Sequence, residues 1–534
     1  MSTTKPEKSR RGFIKTVGGA VVGLIVGAGL GYSARGPTAG DGRATVTVTK
    51  TSGAPSGPGL YSIPNEGNTV HERLMNAMKF VIERDGLKGK ELTIMHPGGG
   101  SAAYDAVKDE FERETGMKFV HAEVPVNEVF DEAIIEAVSK SGDYDFFSLQ
   151  PTMLGDLVES GLVMPLTSHV RYFDNEFRGR PNGFIYPLDR IMPEYKGETY
   201  GILQDGDVFT NYYMHLDKLN SPQEQEGFEK QYGYQLKFAD TFREYLDIGE
   251  YFYRPDEGFY GISELRSALR CYIVWFVYYS SKKFPTMLPF DENMNPQIDS
   301  KEGIQATEEF VEAAKYMPEE NPSWDYHQVY TESAAGNIFQ EIQFPSLSNR
   351  LNDPAESKVL GNWTTAVVPG SKVTGPDGKE IILKRTVQGA GWILLTSNYS
   401  KMKDLATLYS MWLTSPEKII TASSAPGTWM DPCRYNQVGP NADPRMKQAR
   451  GPILEKYDLN ASIAAPVLCG IRGGMEYATT LSRNLHATML GTYEPAECME
   501  RTAREWQGIT DDIGRNEQIE SWKKYMGNYP TIIV

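Results

Sequence analysis

Two aspartates, Asp205 and Asp207, stand two positions apart in the run Leu203-Gln-Asp-Gly-Asp-Val208. An ionised carboxylate accepts through two oxygens, so one such group takes two neighbouring hydroxyls of a sugar ring. The same spacing occurs in catalytic pairs and in calcium loops. No further carboxylates follow at calcium-loop positions, so no metal is expected here. Three tryptophans, Trp363, Trp392 and Trp429, offer flat apolar faces. A sugar stacks its C–H surface on such a face, and a protein core uses the same face for packing. The segment His96-Pro-Gly-Gly-Gly-Ser101 places Gly99, Gly100 and Ser101 after a short apolar run. Glycines let backbone approach a ligand, and the helix N-terminus that follows offers N–H donors; a plain tight turn uses the same residues.

Other chemistries lack their residues. Cys271, Cys433, Cys469 and Cys498 are far apart, with no CxxC, and the seven histidines form no HExxH pair. Outside the cytoplasm the cysteines are free to pair, but the sequence leaves the pairing open. There is no GxGxxG after a strand, no phosphate loop, no CxxCH and no GxSxG, so no cofactor is expected. A glycosidase could use Asp205 and Glu341 as its two carboxylates, but nothing else in the sequence supports one. The net charge of −16 disfavours nucleic acid, whose phosphates need a basic partner.

The elements that must position these residues alternate. Glu91 to Met95 predicts a strand, and Ala103, Val107 and Phe111 mark one face of a helix ending near Gly116. Lys118 to Val124 predicts a second strand, Val129 to Val138 a helix, and Tyr144 to Leu149 a third strand. Thr152 is placed to cap a helix that closes at Gly161. Gln150, just after the third strand, is placed to contact a ligand, since ligands sit beyond the carboxyl ends of strands in open α/β sheets. A buried helix is expected over Leu265 to Tyr279, too short to span a membrane. Helical patterns return beyond Trp392, and Pro495 fits the first position of a late helix.

Ser9-Arg-Arg-Gly-Phe-Ile-Lys15 resembles the twin-arginine export signal, and a run without charges follows up to Arg35. As a helix that run would measure about 28 Å, close to the thickness of a hydrocarbon core. Residues 1–34 are therefore read as a signal, either cleaved or kept as a one-helix anchor. Residues 35–59, rich in Gly, Thr, Ser and Pro, read as a flexible stalk. The protein body is expected in the periplasm or on the outer face of the cell membrane.

Several segments together resemble the family 1 extracellular solute-binding proteins, the maltose-binding-protein-like group of sugar ABC importers. They are Leu92 to Met95 with the glycine turn and Phe111 to Gly116; Ser141 to Ser148 with Leu154 to Leu166; Tyr195 to Ile202 with Asn211 to Asp217; Ala239 to Tyr245; and Gly389 to Leu395 with Met411 to Glu417. The resemblance covers roughly residues 88–512. It implies an α/β fold of two lobes, each a mostly parallel sheet flanked by helices, with the ligand cleft at the hinge. The lobes are expected to comprise 60–208 with 362–400, and 209–361 with 401–534. Asp207 aligns with a ligand-contacting acid, and Arg472, Glu476 and Tyr477 fall where the family places cleft residues. The family often has a tryptophan where Phe344-Pro345 stands here. The implied partners are a carbohydrate ligand, the ABC permease subunits and the twin-arginine export machinery, with no covalent chemistry. A polyamine or a phosphorylated polyol is the alternative solute, and a periplasmic enzyme the rival class.

Overall fold

The computed structural model describes residues 59–388 and 391–534. The expected signal, anchor and stalk lie outside the described residues, apart from Gly59. Residues Ile63–Val534 form one compact unit.

Two sheets organise this unit. In the first, spatial order runs Lys118–Val124, Glu91–Pro97, Phe146–Leu149, Ile393–Thr396, Gly201–Leu203. The first three strands are parallel, and Ile393–Thr396 runs antiparallel to both its neighbours. In the second, the order is Trp363–Ala366, Thr210–Met214, Ile338–Gln343, Tyr260–Glu264. Here Thr210–Met214 is antiparallel to both neighbours, and Ile338–Gln343 is parallel to Tyr260–Glu264. Each sheet thus has one reversed strand. Thr210–Met214 is the strand the chain enters directly after leaving the first sheet, and Ile393–Thr396 is where it returns.

Local sequence accounts for most of the elements. The helix Val70–Arg84 starts at Thr69, whose side chain accepts from the Glu72 N–H. Helix Ala102–Thr115 stops at Gly116, which takes the left-handed conformation a C-terminal cap requires. Thr241 opens helix Phe242–Tyr251 with a reciprocal capping box to Glu244. Thr152 is not a cap: it lies inside a short 3-10 turn, Pro151–Met153, because Pro151 starts the turn one residue earlier. Helix Cys271–Ser280 is buried along its whole length and packs on helices Lys301–Ala313 and Gly474–Met489. All four cysteines are buried and unpaired.

The expected lobe boundaries differ from the strand pairing in two places. Trp363–Ala366 hydrogen-bonds within the second sheet, not the first. Helices Lys403–Leu413 and Pro416–Ser423 pack on helices Val70–Arg84 and Ala102–Thr115, beside the first sheet. There Tyr409 stacks on Phe119 at 4.8 Å and meets Phe111 edge-on at 4.8 Å. Burying aromatic side chains of this size stabilises by roughly 1.5–3 kcal/mol each, which holds the late helices to the early sheet.

Candidate functional site

The two sheets are joined by a short link in which Asp205 and Asp207 lie between Leu203 and Thr210. A second link passes Gln388, which bridges to Val208 of the first link. A cavity with an empty volume of about 460 Å³, counting the part open to solvent, lies against these links. The first sheet contributes Pro97 and Gly98 at the end of one strand and Val126 just past another. These are carboxyl ends of parallel strands, where the pleat leaves loops free to face a ligand. From the second sheet come Phe344 and Ser346, just past strand Ile338–Gln343. Tyr326 and Tyr330 share one face of helix Tyr326–Ala334, and Arg270 immediately precedes helix Cys271–Ser280. Trp392 and Trp429 complete the lining.

The two indoles meet nearly edge to face, with centroids 5.4 Å apart at 64°. Gly100 supports them: a Cβ there would lie 2.5 Å from Cζ2 of Trp429, so only glycine allows this approach. The Tyr330 hydroxyl and Ser346 Oγ are 2.8 Å apart. The Arg270 guanidinium centre sits 5.5 Å from the Tyr326 ring centroid.

A third carboxylate joins the pair. One oxygen each from Asp205, Asp207 and Asp431 lie within 4.8 Å of one another, and all three residues are buried. The Asp431 N–H donates to Asp205 Oδ1 at 2.6 Å. Arg450, itself fully buried, donates to Asp431 Oδ1 at 3.0 Å and to the Ser423 carbonyl at 3.2 Å. Asp207 sits at φ +43°, a left-handed conformation that aspartate tolerates better than most residues. Burial, and then the Asp431 charge, push the Asp205 carboxyl well above its ordinary range; burial, and then Asp205, do the same to Asp207. Burial pushes Asp431 up to about 6, with Arg450 opposing.

Of the residues expected from the sequence, Asp205, Asp207, Trp392 and Trp429 line the cavity, and Gly100 backs Trp429. Gly99 makes the turn at φ +85° and Ser101 leads into the helix, neither in the lining. Gln150 is buried ahead of the 3-10 turn and is not in the lining. Trp363 is core: it packs on Tyr212 at 5.9 Å. Arg472 faces Asp156 at 3.7 Å and Glu517 at 3.5 Å. Tyr477 is buried against Phe290 and Trp506 and bonds Thr510 at 2.8 Å, and Glu476 beside it is exposed. None of the three is in the lining; Arg472 and Tyr477 belong to the packing of the C-terminal helices, whose leading Gly474 abuts the Thr152 carbonyl. Glu341 accepts from Ser333 Oγ inside the second sheet, away from the lining, so it forms no pair with Asp205 across the cavity. Sequence reasoning missed Arg270, Tyr326, Tyr330, Ser346 and Asp431. Only the i, i+4 tyrosines carried a local signal.

Two sheets with one reversed strand each, and a cavity against the links between them, define an α/β fold of the periplasmic-binding-protein kind. Solved structures agree. The chain is similar to an ABC transporter solute-binding protein from Agrobacterium radiobacter K84 in complex with ribitol (TM-score 0.65, 16% identity, 79% of this chain and 99% of that one). It is similar to maltose-bound MalE3 of T. maritima (TM-score 0.63, 18% identity, 79% of this chain and 100% of that one). In sequence it is similar to the probable amino-acid ABC transporter periplasmic-binding protein y4oP of Sinorhizobium fredii, 19% identical over 365 residues, which are 67% of this chain and 76% of that protein. No family model matches the chain.

Proposed function

We propose that this chain is the extracytoplasmic solute-binding component of an ABC importer, capturing a carbohydrate or sugar alcohol and handing it to a membrane permease. The observation that carries this reading is the cavity itself. It is bounded by residues from the ends of both sheets and from the link between them, so a solute held there touches both halves of the fold. Two indoles supply stacking faces, and two carboxylates with one guanidinium supply the acceptors and donors that fix hydroxyls. The ribitol and maltose in the similar structures fit the same chemistry. In this reading the first lobe is built on the first sheet, with the helices of 403–423, and the second lobe on the second sheet. Closure about the two links then buries the solute, and the permease recognises the closed shape. The signal at Ser9–Lys15 sends the protein out through the twin-arginine machinery. Among the described residues no helix is long and apolar enough to cross a membrane.

One observation favours a second solute class. Asp205 and Asp207 face a cavity that also holds four aromatic rings of Tyr and Trp, a setting that suits an ammonium group. A polyamine is therefore the alternative. A phosphorylated polyol has only Arg270 among the lining residues to meet its charge.

The test is a thermal-shift and calorimetric screen against ribitol, maltose, other sugars and polyols, spermidine and a polyol phosphate. A solute that binds only the folded state must raise Tm. A shift with one sugar or polyol, lost in Asp207→Ala, with the solute recovered unchanged, is expected. Binding of spermidine alone would replace the sugar reading, and chemical conversion of the solute would replace the binder reading.

A further inference from the structure

We propose that Asp205, Asp207 and Asp431 hold a hard divalent cation of the calcium type, and that the captured solute completes its coordination from the cavity side. This rests on the cavity being the solute site. Calcium–oxygen distances are about 2.3–2.6 Å, so two oxygens on one calcium shell lie at most about 5 Å apart. Three carboxylate oxygens within 4.8 Å of one another satisfy that condition. The donors are all hard oxygens, with no histidine or cysteine in the group, which selects against zinc and copper. Burial favours an ion that sheds water readily, calcium over magnesium.

Charge gives the same answer. Three ionised carboxylates outnumber the two guanidinium groups that face them, Arg450 at Asp431 and Arg270 on the Asp207 side. An added cation offsets that excess, and a buried charge cluster without its counter-charge is strongly disfavoured. An independent observation points to the same place. The Tyr457 hydroxyl is fully buried and meets no hydrogen-bond partner. It lies 2.3 Å from where a Cβ on Gly206 would stand, so an unpartnered oxygen is aimed at the turn that carries two of the carboxylates. Asp205 and Asp207 also line the cavity, which leaves the ion's open positions accessible to solute hydroxyls.

The full chain, stripped with EDTA, is titrated with calcium chloride alone. The expected result is one calcium bound per chain by equilibrium dialysis, a saturable rise in Tm, and a change in tryptophan emission from the neighbouring indoles. Asp431→Asn should lose the calcium-dependent rise; the dialysis count on the unaltered protein stands even where that variant fails to fold. Solute affinity should then fall at least tenfold in EDTA. The proposal is overturned by absence of stoichiometric calcium binding, or by a saccharide that binds equally well in EDTA, an outcome that leaves the importer reading intact. Calcium binding without any saccharide or polyol binding would support the ion, overturn its completion by solute hydroxyls, and sink the carbohydrate reading.

Discussion

Gly100→Ala adds one methyl group in the place where the site is tightest. Its φ lies outside the left-handed region, so the backbone itself accepts alanine. The new Cβ would stand 2.5 Å from Cζ2, 2.7 Å from Nε1 and 2.9 Å from Cε2 of Trp429. Carbon atoms settle at about 3.5–4.0 Å, so the indole must move by about 1 Å. Overpacking of this kind costs about 1–3 kcal/mol of stability. Trp392 stands edge-to-face with the displaced ring, so the disturbance reaches both stacking surfaces. Aromatic packing is worth about 0.5–1.5 kcal/mol beyond area, which sets an expected loss of about three- to tenfold in solute affinity. Gly99→Ala is the control. Nothing lies within 4 Å of its Cβ, but φ is +85°, so it should lose about 1 kcal/mol of stability and keep its affinity. Calorimetric Kd values and urea melts of both variants decide the matter. If Gly100→Ala binds like the parent, or both variants lose affinity equally, the indoles do not form the binding surface.

Asp431→Ala leaves Arg450 buried without its carboxylate and should cost about 3–5 kcal/mol in urea unfolding, whereas Asp431→Asn keeps an acceptor and should cost less. Asp189 is buried 3.1 Å from Arg178 Nε, and burial pushes its carboxyl up to about 6. Between about pH 4 and pH 6 the folded chain keeps this proton and the unfolded chain releases it, so stability falls as pH rises across that window. The Asp189 contribution is about 3 kcal/mol, and Asp189→Asn should flatten the profile there by that amount. Burial raises the thiols of Cys498 to about 11 and of Cys271 and Cys469 to about 12. The native protein should therefore resist Ellman's reagent, and all four cysteines should react after unfolding; rapid native reaction would contradict their burial.

What could be read in advance depended on whether the signal is local. Strands Glu91–Pro97 and Lys118–Val124, the Gly116 cap and the Pro495 helix start each depend on residues within a turn or two, and their positions in the sequence agree with the structure. The turn at Pro151 was missed because proline's fixed φ outranks a threonine cap one residue later. The site is less legible because its parts meet only in space. Asp431 reaches Asp205 across 226 residues, so no spacing rule brings it into view. Trp363 and Trp392 have the same side chain and differ only in what surrounds them: the Tyr212 ring of the neighbouring strand for one, a cavity for the other. Tyr477 is expected in the cleft from its place at a helix start, yet the N-terminal end of that helix faces the Thr152 turn and the ring is buried. Tertiary packing decides such cases, and it is not written in the neighbouring residues.

The return of Ile393–Thr396 to the first sheet also sets a clock. Phe146–Leu149 and Gly201–Leu203 are joined only through that strand. About 240 residues separate Leu149 from Ile393. At roughly 5–20 residues per second a ribosome needs on the order of 12–50 seconds to deliver it. During that interval Phe146–Leu149, whose every residue ends up buried, has one edge open. The nascent N-terminal half therefore carries an unpaired apolar strand edge and is not a finished domain until about three quarters of the chain has been made.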